Sequence, residues 1–267
     1  APAPAPAPVD GRAYDAALRS ALALVEVDIP LVALVDGVHA RSFAGNALVL
    51  RHPRLVGDGG GGAAEGEALY SPDDASPAAT TGLVLVDRNT AAVGPCDVRL
   101  SFGAHPAEAP AVPLFLHPLH NFAVLAYDAA ALPPAARAAI RAAPCDATTP
   151  ITTGEALELA GLTKDGRIAR RAARVVNPGA SLALPPADVP RFRAIHEEVV
   201  RLDHDFGAAF SGVLAHPTTG AVRALWASYA EQVDREEREF CAGLPAAVWA
   251  PWVAAVARSA LAGPGRQ

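Results

Sequence analysis

Four short runs between residues 82 and 128, GLVLVDR, DVRLSFG, VPLFLHP and NFAVLAYD, are crowded with apolar residues and separated by Gly, Pro, Asn and Asp turn signals. Each is too short to bury the face of a stable helix, and their spacing predicts antiparallel strands that close into a barrel or pack as a sandwich. A second set follows residue 150: ALELAGL, IARRAARVVNPG, EEVVRLD, SGVLAHP and, after a turn at Gly220, AVRALWASYA. Ahead of the first set, AGNALVLRH reads as another strand. The apolar and β-branched residues from Ala16 to Val38, broken at Pro30 and at Asp36-Gly37, predict two more.

The segments between these runs complete the layout. APAPAPAP at residues 1–8 is an extended, solvated linker, because proline cannot donate to a ladder and the run has nothing to bury. Residues 57–81, rich in Gly, Ser, Pro and Asp, are a long surface loop inserted between strands, without the Gly-Lys-Ser/Thr that a phosphate loop needs. Residues 129–144 are Ala-rich behind Pro133-Pro134 and read as a short helix or a connector. YAEQVDREEREF has charged and apolar residues at helical spacing and is expected as a solvated helix. LPAAVWAPWVAAVARSAL is expected as a C-terminal helix that Pro251 interrupts or starts. The expected organisation is a linker over 1–14, a mainly β domain over 15–247 and a C-terminal helix or linker over 248–267. Barrel one takes 15–130, a connector 131–150 and barrel two 151–247, which is the layout of a chymotrypsin-like double β-barrel.

Composition narrows the function. The chain has 267 residues, 51% of them hydrophobic, enough to bury one large core or two small ones without a covalent staple. A net charge of −6 and the lack of a long Lys/Arg run argue against a nucleic-acid surface and against acidic membranes. No apolar stretch reaches the roughly 20 uninterrupted residues of a transmembrane helix, so the chain is expected to be soluble. Cys96, Cys145 and Cys241 are odd in number and lack C-x-x-C spacing. They support neither a disulfide framework nor a zinc knuckle, and they point to a reducing, intracellular compartment. No methionine occurs, not even at position 1, so the chain reads as a piece of a longer polypeptide.

Three blocks carry a family resemblance: GLVLVDRNTAAVGPCDVRLSFGAHPAEAPAVPLFLHPLHNFAVLAYD at 82–128, RFRAIHEEVVRLDHDFGAAFSGVLAHPTTGAVRALWASY at 191–229, and AGNALVL at 44–50. Together they resemble the second, degenerate protease domain of the large HtrA/Deg serine proteases of plants and fungi, which carry two protease-type domains and several PDZ domains. The resemblance covers most of residues 15–247, and the Ala-Pro leader and the 57–81 insertion depart from it. It implies a trypsin-like fold, a role in protein quality control and a plastid or nuclear location.

It also implies where a catalytic triad would sit. In active relatives a histidine follows the LVLVD-like strand by two residues, and that position is Asn89. The aspartate precedes the IAVL-like strand, which places Asn121 there, and aligning SGVL with the Gly-Gly-Pro-Leu turn puts Phe210 at the nucleophile. A side-chain amide cannot act as a general base near neutral pH, and a phenyl ring has no nucleophile. Ser211 is the shifted candidate, but it would replace a glycine that shapes the turn, and no histidine waits at position 89. Loss of single triad members costs roughly 10⁴ to 10⁶ in rate.

Other candidates are weaker. His117 and His120 (HPLH) stand at metal-ligand spacing, yet on an extended, proline-containing segment they are not expected to converge, and they read as surface or strand-end histidines. HEEVV at 196–200 opens like a zincin motif but has Val200 where the second histidine belongs. His204, between Asp203 and Asp205 and near Ser211 in sequence, reads as structural or exposed. Trp226 and Tyr229 are expected in a barrel core. Neither cofactor nor metal is expected.

The leading expectation is a catalytically inactive protease-like domain acting in oligomer assembly. Its partners would be copies of itself and the protease and PDZ domains of a parent serine endopeptidase. The alternative is binding of unfolded protein or peptide without cleavage. The third reading is residual serine hydrolase activity through Ser211. On the first reading, Asp87-Arg88-Asn89 is a polar corner that holds either the fold or a neighbour together.

Overall fold

Residues 11–30, 42–53, 80–91, 96–183, 196–207, 210–233 and 236–261 are described in the computed structural model. Strands β1 (Leu22–Asp28), β2 (Ser42–Arg51), β3 (Thr81–Val86), β4 (Asp97–Phe102), β5 (Glu108–Leu116) and β6 (Ala123–Asp128) pair antiparallel in the order β1-β2-β3-β6-β5-β4 and close into a barrel. The second barrel holds β7 (Ala156–Leu162), β8 (Ile168–Ala183), β9 (His196–Leu202), β10 (Gly212–Ala215), β11 (Val222–Val233) and β12 (Glu236–Pro245), in the order β7-β8-β9-β12-β11-β10. It repeats the first with each strand number raised by six. The fold is the chymotrypsin-like double barrel with a C-terminal helix, α3 (Ala246–Leu261). A 3-10 turn (Ala129–Ala131) and a short helix, α2 (Pro134–Ala139), lie in the connector.

The continuous apolar runs have a physical reason. On β2, β3 and β6 one set of alternate side chains (Ala47, Val49, Val84, Val86, Ala123, Leu125) fills the interior of barrel one. The other set (Leu48, Leu50, Leu83, Leu85, Phe122, Val124) packs against Val213, Leu225, Ala227 and Tyr229 of barrel two and Trp249 and Val253 of α3. Both faces of these strands are buried, so apolar residues replace the usual apolar-polar alternation.

Three expectations are corrected. Residues 16–21 belong not to a strand but to a helix, α1 (Gly11–Ala21). Tyr14, Leu18 and Ala21, at i, i+4 and i+7, put one buried stripe on the barrels. The helix expected over 229–240 gives way to strands at the described residues 229–233 and 236–240: β11 and β12 pair residue by residue from Ala224↔Pro245 to Val233↔Glu236. Tyr229 and Phe240, directly opposed, stack at 5.9 Å and are both buried, and this cross-strand aromatic pair outweighs the helical spacing of the charges. Finally, α3 starts at Ala246 and carries Pro251 inside it. The Ala-Pro run, nearly all of the 57–81 insertion and the strand predicted after Pro30 lie outside the described residues. No helix among the described residues is long and apolar enough to cross a membrane.

Candidate functional site

β3 ends at Val86 and the chain turns sharply at Asp87–Ala91, held by Thr90 N–H to Asp87 O at 3.0 Å and Ala91 N–H to Arg88 O at 3.1 Å. Asp87 is buried, and its Oδ1 accepts the Asn89 amide N–H at 2.8 Å. This fixes the corner and directs the Asn89 side chain toward β11. There Asn89 Nδ2 donates to the Ser228 carbonyl at 2.8 Å and to its Oγ at 3.3 Å. Asn121, in the turn before β6, donates its own Nδ2 to the same Ser228 carbonyl. The Ser228 N–H and Oγ–H both donate to Asp87 Oδ2 at 2.6 Å.

Two of the three residues at the expected triad positions are therefore brought together. Both act as amide donors to one main-chain oxygen across the barrel junction. Burial pushes the Asp87 carboxyl above its ordinary range, against the pull of the hydrogen bonds from Ser228, Asn89 and Asn121. The third residue, Phe210, is partly buried and packs against the apolar cluster of barrel two that includes Leu214 and Trp226.

Ser211 sits in a second polar contact between the barrels. Its Oγ accepts the Asn46 N–H from β2 at 2.9 Å. The Asn46 amide bridges Ser211 O (3.0 Å) and Leu162 O (3.2 Å), and its Oδ1 accepts the Leu162 N–H at 2.6 Å. The approach is close: a Cβ on Gly161 would lie 2.6 Å from Ser211 O. His204 is exposed and faces Asp203, with Nδ1 3.0 Å from Asp203 Oδ1.

His117 and His120 do come together, with ring centroids 4.9 Å apart, and His117 is 2% exposed. The segment folds into a tight turn because the N–H groups of Leu119 and His120 both donate to His117 Nδ1, at 3.1 and 2.8 Å. With Nδ1 used as an acceptor, the proton of the neutral ring is on Nε2. Burial, with the neighbouring His120 and Arg88, lowers the His117 pKa to about 4, although Glu197 opposes the shift. His120 instead contacts Glu197 of β9, Nδ1 to Oε1 at 3.3 Å, and the same Oε1 accepts the Asn121 N–H at 3.0 Å. Among the described residues no three His, Cys, Asp or Glu side chains are disposed to hold a metal ion.

Cys96, Cys145 and Cys241 form no disulfide. Burial pushes the Cys145 and Cys241 thiols up to about 12, which suits packing rather than attack on a carbonyl. Trp226 and Tyr229 are core residues, as expected.

Sequence reasoning missed Asn46, Glu197 and Ser228. A faint signal exists for the first two: Asn46 is the one polar side chain in AGNALVL, and Glu197 falls in phase with the buried Val199 of HEEVV. Ser228 carries the same faint signal, as the one aliphatic hydroxyl in ALWASYA.

The chain matches no protein-family model. It is 36% identical over 234 residues to Protease Do-like 7 of Arabidopsis thaliana, a match covering 86% of this chain and 19% of that protein. Over 168 residues it is 32% identical to the pro-apoptotic serine protease NMA111 of Yarrowia lipolytica, covering 62% of this chain and 16% of that one. The chain thus spans less than a fifth of the length of either relative. In fold it is similar to the MamO protease domain of Magnetospirillum magneticum, with a TM-score of 0.54, 14% identity, and 88% of this chain and 97% of that one covered. It is likewise similar to the HtrA-type protease AlgW, with a TM-score of 0.55, 13% identity, and 93% and 64% covered.

Proposed function

The chain belongs to the HtrA-type serine protease family that includes Protease Do-like 7 and NMA111, and on that premise we propose that its double barrel is a protease scaffold without peptidase chemistry that serves oligomer assembly. One observation carries the reading: the amides of Asn89 and Asn121, at the positions of a triad base and its orienting acid, are both spent on the Ser228 carbonyl. Peptide hydrolysis needs a base beside a nucleophile and a carboxylate to orient that base. Here those positions carry donors that tie one barrel to the other, and Phe210 offers no oxygen. A scaffold relieved of the reaction keeps its outer faces for association. The partners are copies of the domain and the protease and PDZ domains of a parent serine endopeptidase working in protein quality control, in a plastid or nucleus.

The test has two parts. Sedimentation of the isolated chain should show concentration-dependent self-association, and a strict monomer at high micromolar concentration would sink the assembly role. A fluorophosphonate probe should leave the chain unlabelled; labelling abolished by Ser211→Ala would establish a serine hydrolase instead. A second reading, capture of unfolded polypeptide without cleavage, is favoured by a cavity of about 240 Å³ in barrel two, lined by Arg201, His204, Asp205, Trp226, Phe240 and Cys241. Saturable binding of an unfolded protein by a monomer would support it.

A further inference from the structure

The connector, the bulged part of β8, the start of β11 and the first turn of α3 enclose a second cavity, of about 260 Å³. Ala147, Pro150, Ile151, Pro178, Pro245 and Ala247 give it a mostly apolar wall. That volume is below the roughly 300–1,000 Å³ of pockets that enclose a whole small molecule, so it suits one or two residues of a chain that continues outside. Arg223 lines the same cavity and is 3% exposed. Its Nε donates to Glu155 Oε1, and its Nη1 donates to the carbonyl and Oδ2 of Asp146. Its Nη2 makes no hydrogen bond among the described residues.

The lining selects a ligand. The other carboxylate oxygens beside Arg223 are already occupied: Asp146 Oδ1 accepts the N–H groups of Thr148 and Thr149, at 3.1 and 2.9 Å, and Glu155 Oε2 accepts the Thr152 N–H at 3.0 Å. What is left over is donors, from Arg223 Nη2 and from the opening turn of α3, whose first N–H groups have no intrahelical acceptor. The ligand must therefore bring an acceptor. Two carboxylates against one guanidinium leave a surplus of negative charge, which disfavours a carboxylate or a phosphate and favours an uncharged carbonyl. An ordinary peptide brings an N–H with every carbonyl, and an N–H buried here would lack an acceptor. Proline brings the carbonyl and an apolar ring without the N–H, in an extended conformation that needs little further ordering.

We propose that this cavity takes a proline-rich, extended segment of a partner polypeptide, with its rings against the apolar wall and one of its carbonyls on Arg223 Nη2. The proposal rests on the reading of capture without cleavage and adds a site to it. The chain's own residues 1–8, Ala-Pro repeated, supply a probe of this composition. A blocked, fluorescein-labelled Ala-Pro octapeptide titrated into the whole chain should bind saturably by anisotropy, and an Ala-Ser octapeptide should bind about tenfold more weakly or worse. Ala247→Trp fills the cavity from an exposed position, and Arg223→Lys keeps a charge between Asp146 and Glu155 while removing Nη2. Each should weaken the Ala-Pro octapeptide by about tenfold or more, and Ala247→Trp carries the test if Arg223→Lys disturbs folding. Saturation only after removal of residues 1–8 would support the site and show that the chain's own run competes for it. Failure of both forms to bind the octapeptide, or binding unchanged by Ala247→Trp, would overturn the site, while saturable binding of an unfolded protein would keep the capture reading. A chain that binds no polypeptide at all would remove that reading as well.

Discussion

Asn89 of barrel one and Ser228 of barrel two, 139 residues apart in the chain, are joined by a 2.8 Å hydrogen bond from a side-chain amide to a main-chain carbonyl. The acceptor is also held by Asn121, and the Ser228 N–H and hydroxyl are both held by Asp87. All the hydrogen-bonding groups of one residue on β11 are therefore committed to barrel one, and the polar cluster behaves as a clamp at the junction.

The members of the clamp should differ in their contribution. Asp87→Ala removes a buried carboxylate and leaves the half-buried Ser228 N–H and the Asn89 N–H without their acceptor, and is expected to cost about 2–3 kcal/mol. Asn89→Ala, at an exposed position, should cost about 0.5–1 kcal/mol. Urea denaturation of the two variants checks the order, and an Asp87→Ala loss no larger than that of Asn89→Ala would contradict the clamp.

Rebuilding the triad should fail. Asn89→His, Asn121→Asp and Phe210→Ser together remove both amide donors to Ser228 and add a carboxylate beside Asp87 and Glu197. The triple variant should be destabilised by about 2 kcal/mol or more and remain unlabelled by a fluorophosphonate. Labelling at position 210 with stability retained would show that the junction tolerates a catalytic group.

His117 should titrate near pH 4 in an NMR experiment, because burial disfavours its cation. The unfolded chain binds this proton at the ordinary value of 6.5, so the native state resists protonation. The stability contributed by the neutral ring is complete above about pH 6.5 and declines as the pH falls toward 4. A midpoint at the ordinary value would mean that the ring is solvated.

Arg223, 3% exposed, pairs with Asp146 at 2.7 Å and with Glu155 at 3.2 Å, joining the connector to β11. Removing the guanidinium in Arg223→Ala should cost about 3–5 kcal/mol. For Asp146, burial pushes the carboxyl up, but the amide and hydroxyl hydrogen bonds of Thr149, the Thr148 N–H and Arg223 bring it down to about 2. Its contribution is therefore present above the ordinary value of 3.8 and lost as the pH falls toward 2. Thermal melts should show the gap between wild type and Asp146→Asn closing over that range.

Much of the fold was legible because a strand buried on both faces leaves an uninterrupted apolar run, as at GLVLV and FAVLA. The failures have a common cause. In residues 229–240 the charges fit a helix in isolation, and only the position of Phe240 opposite Tyr229 makes the ribbon the better solution. At HPLH an extended reading kept the two imidazoles apart, whereas backbone N–H donation to His117 Nδ1 folds the segment back on itself.

The sequence by itself determined the strand pattern and the chemical types at positions 89, 121 and 210: two amides and a phenyl ring, with no imidazole, carboxylate or hydroxyl among them. Those are properties of single side chains and need no neighbours. That Asn89 and Asn121 meet on one carbonyl, that Asp87 holds both donors of Ser228, and that Asn46 reaches Ser211 were decided only by the tertiary structure. Hydrogen bonds depend on position in space, and the separations of 107 to 165 residues along the chain are closed only when two barrels pack against each other.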